Sequence, residues 1–209
     1  MKFADLVSLS QKDDQENANV GELKDNYMTA LANRDKAVKS KWRTLDSIFD
    51  NELQDLINSN FEITHEIKDE NIVIKFGSGN ISLELGPSGR LFDEYAIQKK
   101  LFMKRGDKTD FTFIELAPAF PYGTKISKDK KFVDAINKGT NLSIQEIQEL
   151  KQEIERINKD IEMLSNSLPH KYYVFKTNKA DCGKANQSEK LEEILDRAIA
   201  MSDIFNSVR

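Results

Sequence analysis

The sequence is poor in the residues on which disulfide scaffolds, metal centres and membrane spans depend. It holds one cysteine, Cys182, so no internal disulfide framework exists and a reducing, cytoplasmic setting is expected. Its two histidines, His65 and His170, are too few for a multi-histidine metal site, and neither CxxC nor HxxxH spacing accompanies them. No cofactor or metal is therefore expected. Nowhere do apolar residues run together for the eighteen or so positions that a spanning helix needs, which predicts no membrane partner. The opening stretch MKFADLVSLSQKDDQ is interrupted by Asp5 and is expected not to act as a signal peptide.

Motifs for group transfer are equally scarce. There is no GxSxG elbow and no GxxxxGK[ST] phosphate loop. The tetrapeptide NKAD, Asn178 to Asp181, is similar to the guanine-reading NKxD element of GTPases, but that element works beside a phosphate loop, and without one no nucleotide is expected. The glycine-bearing stretches GSGN and GPSGR precede strand-like runs, which makes them hairpin turns rather than phosphate cradles. Glu66 and Lys68 stand two apart on one strand face, as a metal-dependent nuclease would place them, yet no partner acid is recognisable and the face reads as solvated. Cys182 sits in a lysine-bearing polar loop and reads as a surface thiol. The chain is thus expected not to be an enzyme, unless it has a dispersed site that sequence does not reveal.

What is present is charge and helical periodicity. Charged residues make up 32% of the 209 positions and the net charge is −4, so the chain as a whole has no pull toward nucleic acid. Residues 1–19 read as a short amphipathic segment and a flexible link, QKDDQENAN. Residues 20–59 carry apolar side chains at steps of three and four (Val20, Leu23, Tyr27, Leu31, Val38, Trp42, Leu45, Phe49, Leu53, Leu56), with a gap at Arg34, and predict a long helix. Over residues 60–122 the period changes to two. FEITHEI, NIVIKF, ISLEL and FTFIEL are predicted strands of an antiparallel meander, the first with Phe61, Ile63, His65 and Ile67 on its buried face. LFDEYAIQKKLFMK fits helix or strand. Residues 169–209 predict a strand, KYYVFKT, a loop and a last amphipathic helix. The expected fold class is α+β: a small antiparallel meander between two long helices, with a C-terminal strand and helix.

The second long helix occupies residues 140–168. Ser143 and Glu146 form a capping box, with Leu142 and Ile147 placed as a hydrophobic staple. Its seam, Ile147, Leu150, Ile154, Ile157, Ile161, Leu164 and Leu168, steps 3, 4, 3, 4, 3, 4, a coiled-coil-like heptad with Ile147, Ile154 and Ile161 at a and Leu150, Ile157 and Leu164 at d. This seam predicts a non-enzymatic assembly or accessory subunit that docks a protein partner or a second copy of itself.

Local basic clusters suggest an alternative, a nucleic-acid-associated accessory protein. RDKAVKSKWR supplies Arg34, Lys36, Lys39, Lys41 and Arg43; QKKLFMKRGDK supplies Lys99, Lys100, Lys104, Arg105 and Lys108; KISKDKKF adds Lys125, Lys128, Lys130 and Lys131. Within the first cluster Lys36, Lys39 and Arg43 share a helix face, while Trp42 falls on the apolar stripe and is expected in the core.

Overall fold

The computed structural model describes residues 3–59, 63–89, 96–119, 130–166, 169–176 and 186–206, with side chains from Asn19 onward, Asn206 excepted. The first helix, α1 (Phe3–Asn58, 56 residues), is longer than its apolar stripe predicts. The polar run assigned to a link is helical, with no proline to stop it. The chain divides into two compact units, residues 1–38 with 123–167 and residues 39–122 with 168–209, and α1 contributes to each.

In the first unit, α1 meets a short helix, α2 (Val133–Asn137), and a longer one, α3 (Ile144–Ser165). The start of α3 follows local chemistry. Ser143 accepts from the Glu146 amide and the Glu146 carboxylate accepts from the Ser143 amide at 2.8 Å, so two otherwise orphaned donors are satisfied reciprocally. Tyr27, Ala30, Leu31, Phe132, Leu150 and Ile157 form this unit's core, with Tyr27 edge-on to Phe132 at 6.0 Å. One groove is lined by Val20 and Leu23 of α1 with Ile147 of α3, the next by Ala30 and Asn33 with Ile154 and Asn158. The residue numbers rise together, so α3 runs parallel to α1.

The second unit is a seven-stranded antiparallel meander in sequence order: β1 (Ile63–Lys68), β2 (Asn71–Phe76), β3 (Ile81–Leu85), β4 (Ile97–Arg105), β5 (Lys108–Pro118), β6 (His170–Phe175) and β7 (Gln187–Ser188). The ambiguous stretch is therefore a strand over residues 97–105. Leu45, Phe49, Leu53 and Ile57, each one helical step of four from the last, put one stripe of α1 onto the sheet. There they join Ile74, Leu83, Leu101, Ile114 and Val174, together with Leu191 and Ile194 of α4 (Leu191–Ala200) and Ile204 of α5 (Asp203–Asn206). The predicted last helix breaks at Met201–Ser202 into these two. Trp42 packs against this core, as its place on the stripe predicts.

One strand departs from its predicted pattern. Phe61 lies outside the described residues, His65 is exposed and Ile67 is 78% exposed. β1 is the sheet's edge, and the core reaches only Ile63 of it, so period-two alternation here signals a strand without a buried side.

The β1–β2 hairpin turns on two residues, Asp69 and Glu70, both with positive φ, 50° and 67°. Aspartate tolerates this region, whereas glutamate meets the Cβ penalty of about 1–2 kcal/mol. The exposed Glu70 side chain makes no contact that offsets this cost among the described residues. Glu70→Gly is therefore expected to raise the stability of the sheet unit by about 1 kcal/mol in urea denaturation; an unchanged or lower midpoint would contradict the strain.

Candidate functional site

The heptad seam of α3 is split by its surroundings. The d residues Leu150, Ile157 and Leu164 are 0%, 0% and 2% exposed, whereas the a residues Ile147, Ile154 and Ile161 are half-buried. Leu168 lies outside the described residues. Leu150 and Ile157 belong to the core shared with α1, and Ile154 and Ile161 pack against its margin, so the d residues are the more deeply committed to packing within this chain. Ile147 and Ile154 border the groove between the two helices. A part of it of about 430 Å³ is lined by Leu23, Ala30 and Ile154 with a polar rim of Asn26, Lys151 and Glu155.

The basic clusters are drawn in different directions. Arg34 is 1% exposed with the Asp35 carboxylate at 3.6 Å, which removes it from any surface that a phosphate reaches. Lys36, Lys39 and Arg43 are exposed; Lys41 is half-buried, and that burial lowers its ammonium's pKa. Lys99 shares strand parity with Ile97 and Leu101 and points into the core, only 6% exposed. Its ammonium lies 3.5 Å from Asp46, 3.3 Å from Asp50 and 5.1 Å from the centroid of Phe49, all on α1. A buried cation must be compensated, and these two carboxylates and the ring do so. Lys104 pairs with Glu84 at 2.7 Å, Arg105 donates to the Ile204 carbonyl at 3.3 Å, and Lys108 is exposed. Lys130 lies 3.9 Å from Asp35 and Lys131 pairs with Glu149, while Lys125 and Lys128 fall outside the described residues. Of the sheet cluster, then, Lys99 and Lys104 are paired with carboxylates of this chain.

Lys100 behaves differently. It points to the sheet face opposite the core, where its ammonium stands 4.5 Å from the centroid of Phe102 and 4.1 Å from that of Phe111. Phe102, Phe111, Phe113 and Phe175 form a continuous row of rings, with centroids 6.3, 5.9 and 5.8 Å apart in turn. The basic-residue count misses this row. Its signal was the odd-numbered phenylalanines of FTFIEL, set opposite in parity to Ile114 and Leu116.

The remaining candidates stand apart from one another. Glu66 pairs with Lys75 at 2.8 Å on the exposed edge, an ordinary cross-strand ion pair. His170 lies 3.4 Å from Glu52, whose other oxygen accepts from the Leu191 amide at the start of α4. Beside them burial, reinforced by the Glu52 carboxylate, pushes the Tyr172 phenol up. This arrangement ties β6 and α4 to α1 and favours a neutral phenol. Asn178, Asp181 and Cys182 lie outside the described residues. Among the described residues no group of three or more histidine, cysteine, aspartate or glutamate side chains converges as a metal site would require, and no helix is long and apolar enough to cross a membrane.

Comparison of the chain with protein-family models, with curated protein sequences and with solved structures returned no match.

The Lys104 hydrogen bond, with help from the Asn71 amide, holds the Glu84 carboxyl below the ordinary glutamate range against the opposing effect of burial. A carboxyl depressed in the folded state adds stability that is fully present above the pKa of the unfolded chain and is lost as pH falls through the folded value. Stability of the sheet unit should accordingly fall as pH drops below about 4.5. Lys104→Met should flatten that part of the profile in denaturation series; an unaltered profile would remove the pair from the account.

Proposed function

We propose that the chain is a non-enzymatic assembly subunit that self-associates through the groove between α1 and α3. The observation carrying this reading is the division of the seam: Leu150 and Ile157 are buried in the core with α1, whereas Ile147 and Ile154 remain half-exposed beside Val20, Leu23 and Ala30. A groove bordered at three- and four-residue steps on both sides has the shape of a further helix. The rim favours a second copy. Lys151 and Glu155 stand one turn apart, so two copies meeting antiparallel about a two-fold axis set each lysine opposite a glutamate. Completing the burial of Ile147 and Ile154 contributes about 1 kcal/mol per side chain.

Light scattering tests this. The wild-type chain is expected at twice 23.9 kDa, and Ile147→Asp with Ile154→Asp at one chain. Lys151→Glu should weaken the pair, and adding Glu155→Lys should restore it. A wild-type monomer at all workable concentrations would refute self-association and direct the search to a helix of a different protein.

A second reading, nucleic-acid association, is favoured by the exposure of Lys39 and Arg43, one helical turn apart on α1, which no carboxylate pairs with among the described residues. Such contacts would be sequence-independent and steeply salt-dependent.

A further inference from the structure

Seven strands offer two faces, and the described helices of this unit cover one. α1, α4 and α5 join the core through Ile74, Leu83, Leu101, Ile114 and Val174; the opposite parity of β4 and β5 carries Lys100, Phe102, Phe111 and Phe113. Phe102 and Phe111 are direct cross-strand partners. Phe111 is 40% exposed, Phe102 and Phe113 are half-buried, and Phe175 at the end of the row is 2% exposed. The row thus opens to solvent on β4 and β5 and closes on β6.

The charge on this face is arranged around those rings. Lys75 and Lys104 have their own carboxylates, Glu66 and Glu84. Lys100 alone of the three rests on aromatic faces and makes no ion pair among the described residues, although Glu84 and the buried Glu115 lie diagonally across from it on the same face. An occupant that suits this surface must offer flat π faces to the rings and an anion to the lysine. An aliphatic helix face supplies neither. A duplex supplies the anion but keeps its base faces stacked inside, whereas single strands supply both.

We infer that this face binds single-stranded nucleic acid, with two or three successive bases stacking on Phe102, Phe111 and Phe113 and a phosphate meeting Lys100. The inference rests on the second reading above for the class of partner and moves the contact from α1 to the sheet. Binding lifts the Lys100 ammonium from the rings onto the phosphate, so the cation–π contact is exchanged for an ionic one.

The test is fluorescence anisotropy of the full chain with labelled oligothymidine and oligouridine and with a duplex of equal length, at low and at physiological salt. Binding of either single strand, with the duplex at least tenfold weaker, is the expected result; the two oligomers separate DNA from RNA. Phe111→Ala should weaken binding roughly tenfold or more, while Phe111→Tyr, which keeps a stacking ring in the same fold, should retain it. Lys100→Gln should weaken binding and reduce its salt dependence. Lys39→Glu with Arg43→Glu should weaken single-strand binding less than Phe111→Ala does, which separates any share of α1 from that of the sheet. The proposal fails if neither oligomer binds at low salt, if the duplex binds as well as the single strands, or if Phe111→Ala binds like wild type. Loss on changing Lys39 and Arg43 with Phe111→Ala silent would assign any binding to α1 instead.

Discussion

The apolar stripe of α1 is the constraint on which both cores depend. Tyr27 and Leu31 complete a helical core with α3, and Leu45, Phe49, Leu53 and Ile57 complete a sheet core with β2–β6. Neither α3 nor the sheet has another described helix of comparable length to cover its apolar side within its unit. An amphipathic helix of three heptads is marginal by itself, so α3 owes its order to α1. The stripe breaks at Arg34, close to where the contribution of α1 to the first unit ends at Val38.

Charge reinforces this dependence instead of merely decorating it. Lys99 reaches out of the sheet to two aspartates of α1, and Glu52 of α1 reaches back to His170 and to the start of α4. Removing both Asp46 and Asp50 would leave the buried Lys99 ammonium without a carboxylate, which costs several kcal/mol, far more than a surface pair loses. A chain whose lysines look like a phosphate-binding run therefore commits two of them, Lys99 and Lys104, to its own carboxylates. Of those not so committed, Lys100 lies where aromatic rings stand open.

Local chemistry made much of the fold legible. Ser143 and Glu146, three residues apart, fix the start of α3, and the glycines of GSGN mark the hairpin between two strands whose period is two. The partner of the seam was not legible, because a heptad has the same spacing whether it faces its own chain or another. The inward turn of Lys99 was hidden for a different reason: parity distinguishes inside from outside only once a segment is known to be a strand, and residues 91–104 fitted two periods. His65 and Ile67 misled because alternation reports a strand and not its position at an edge. The aromatic row escaped notice because a census of cations does not record what lies beside them.

We propose that α3 spends Leu150 and Ile157 inside the chain and keeps Ile147 and Ile154 for assembly. Thiol labelling of Ile154→Cys and Ile157→Cys, each with Cys182→Ser, measured across protein concentration, tests it most directly. The account predicts fast labelling at position 154 in dilute protein, protection of that position as concentration rises, and slow labelling at position 157 throughout. Equal labelling of the two positions in dilute protein, or a rate at position 154 that ignores concentration, would contradict it.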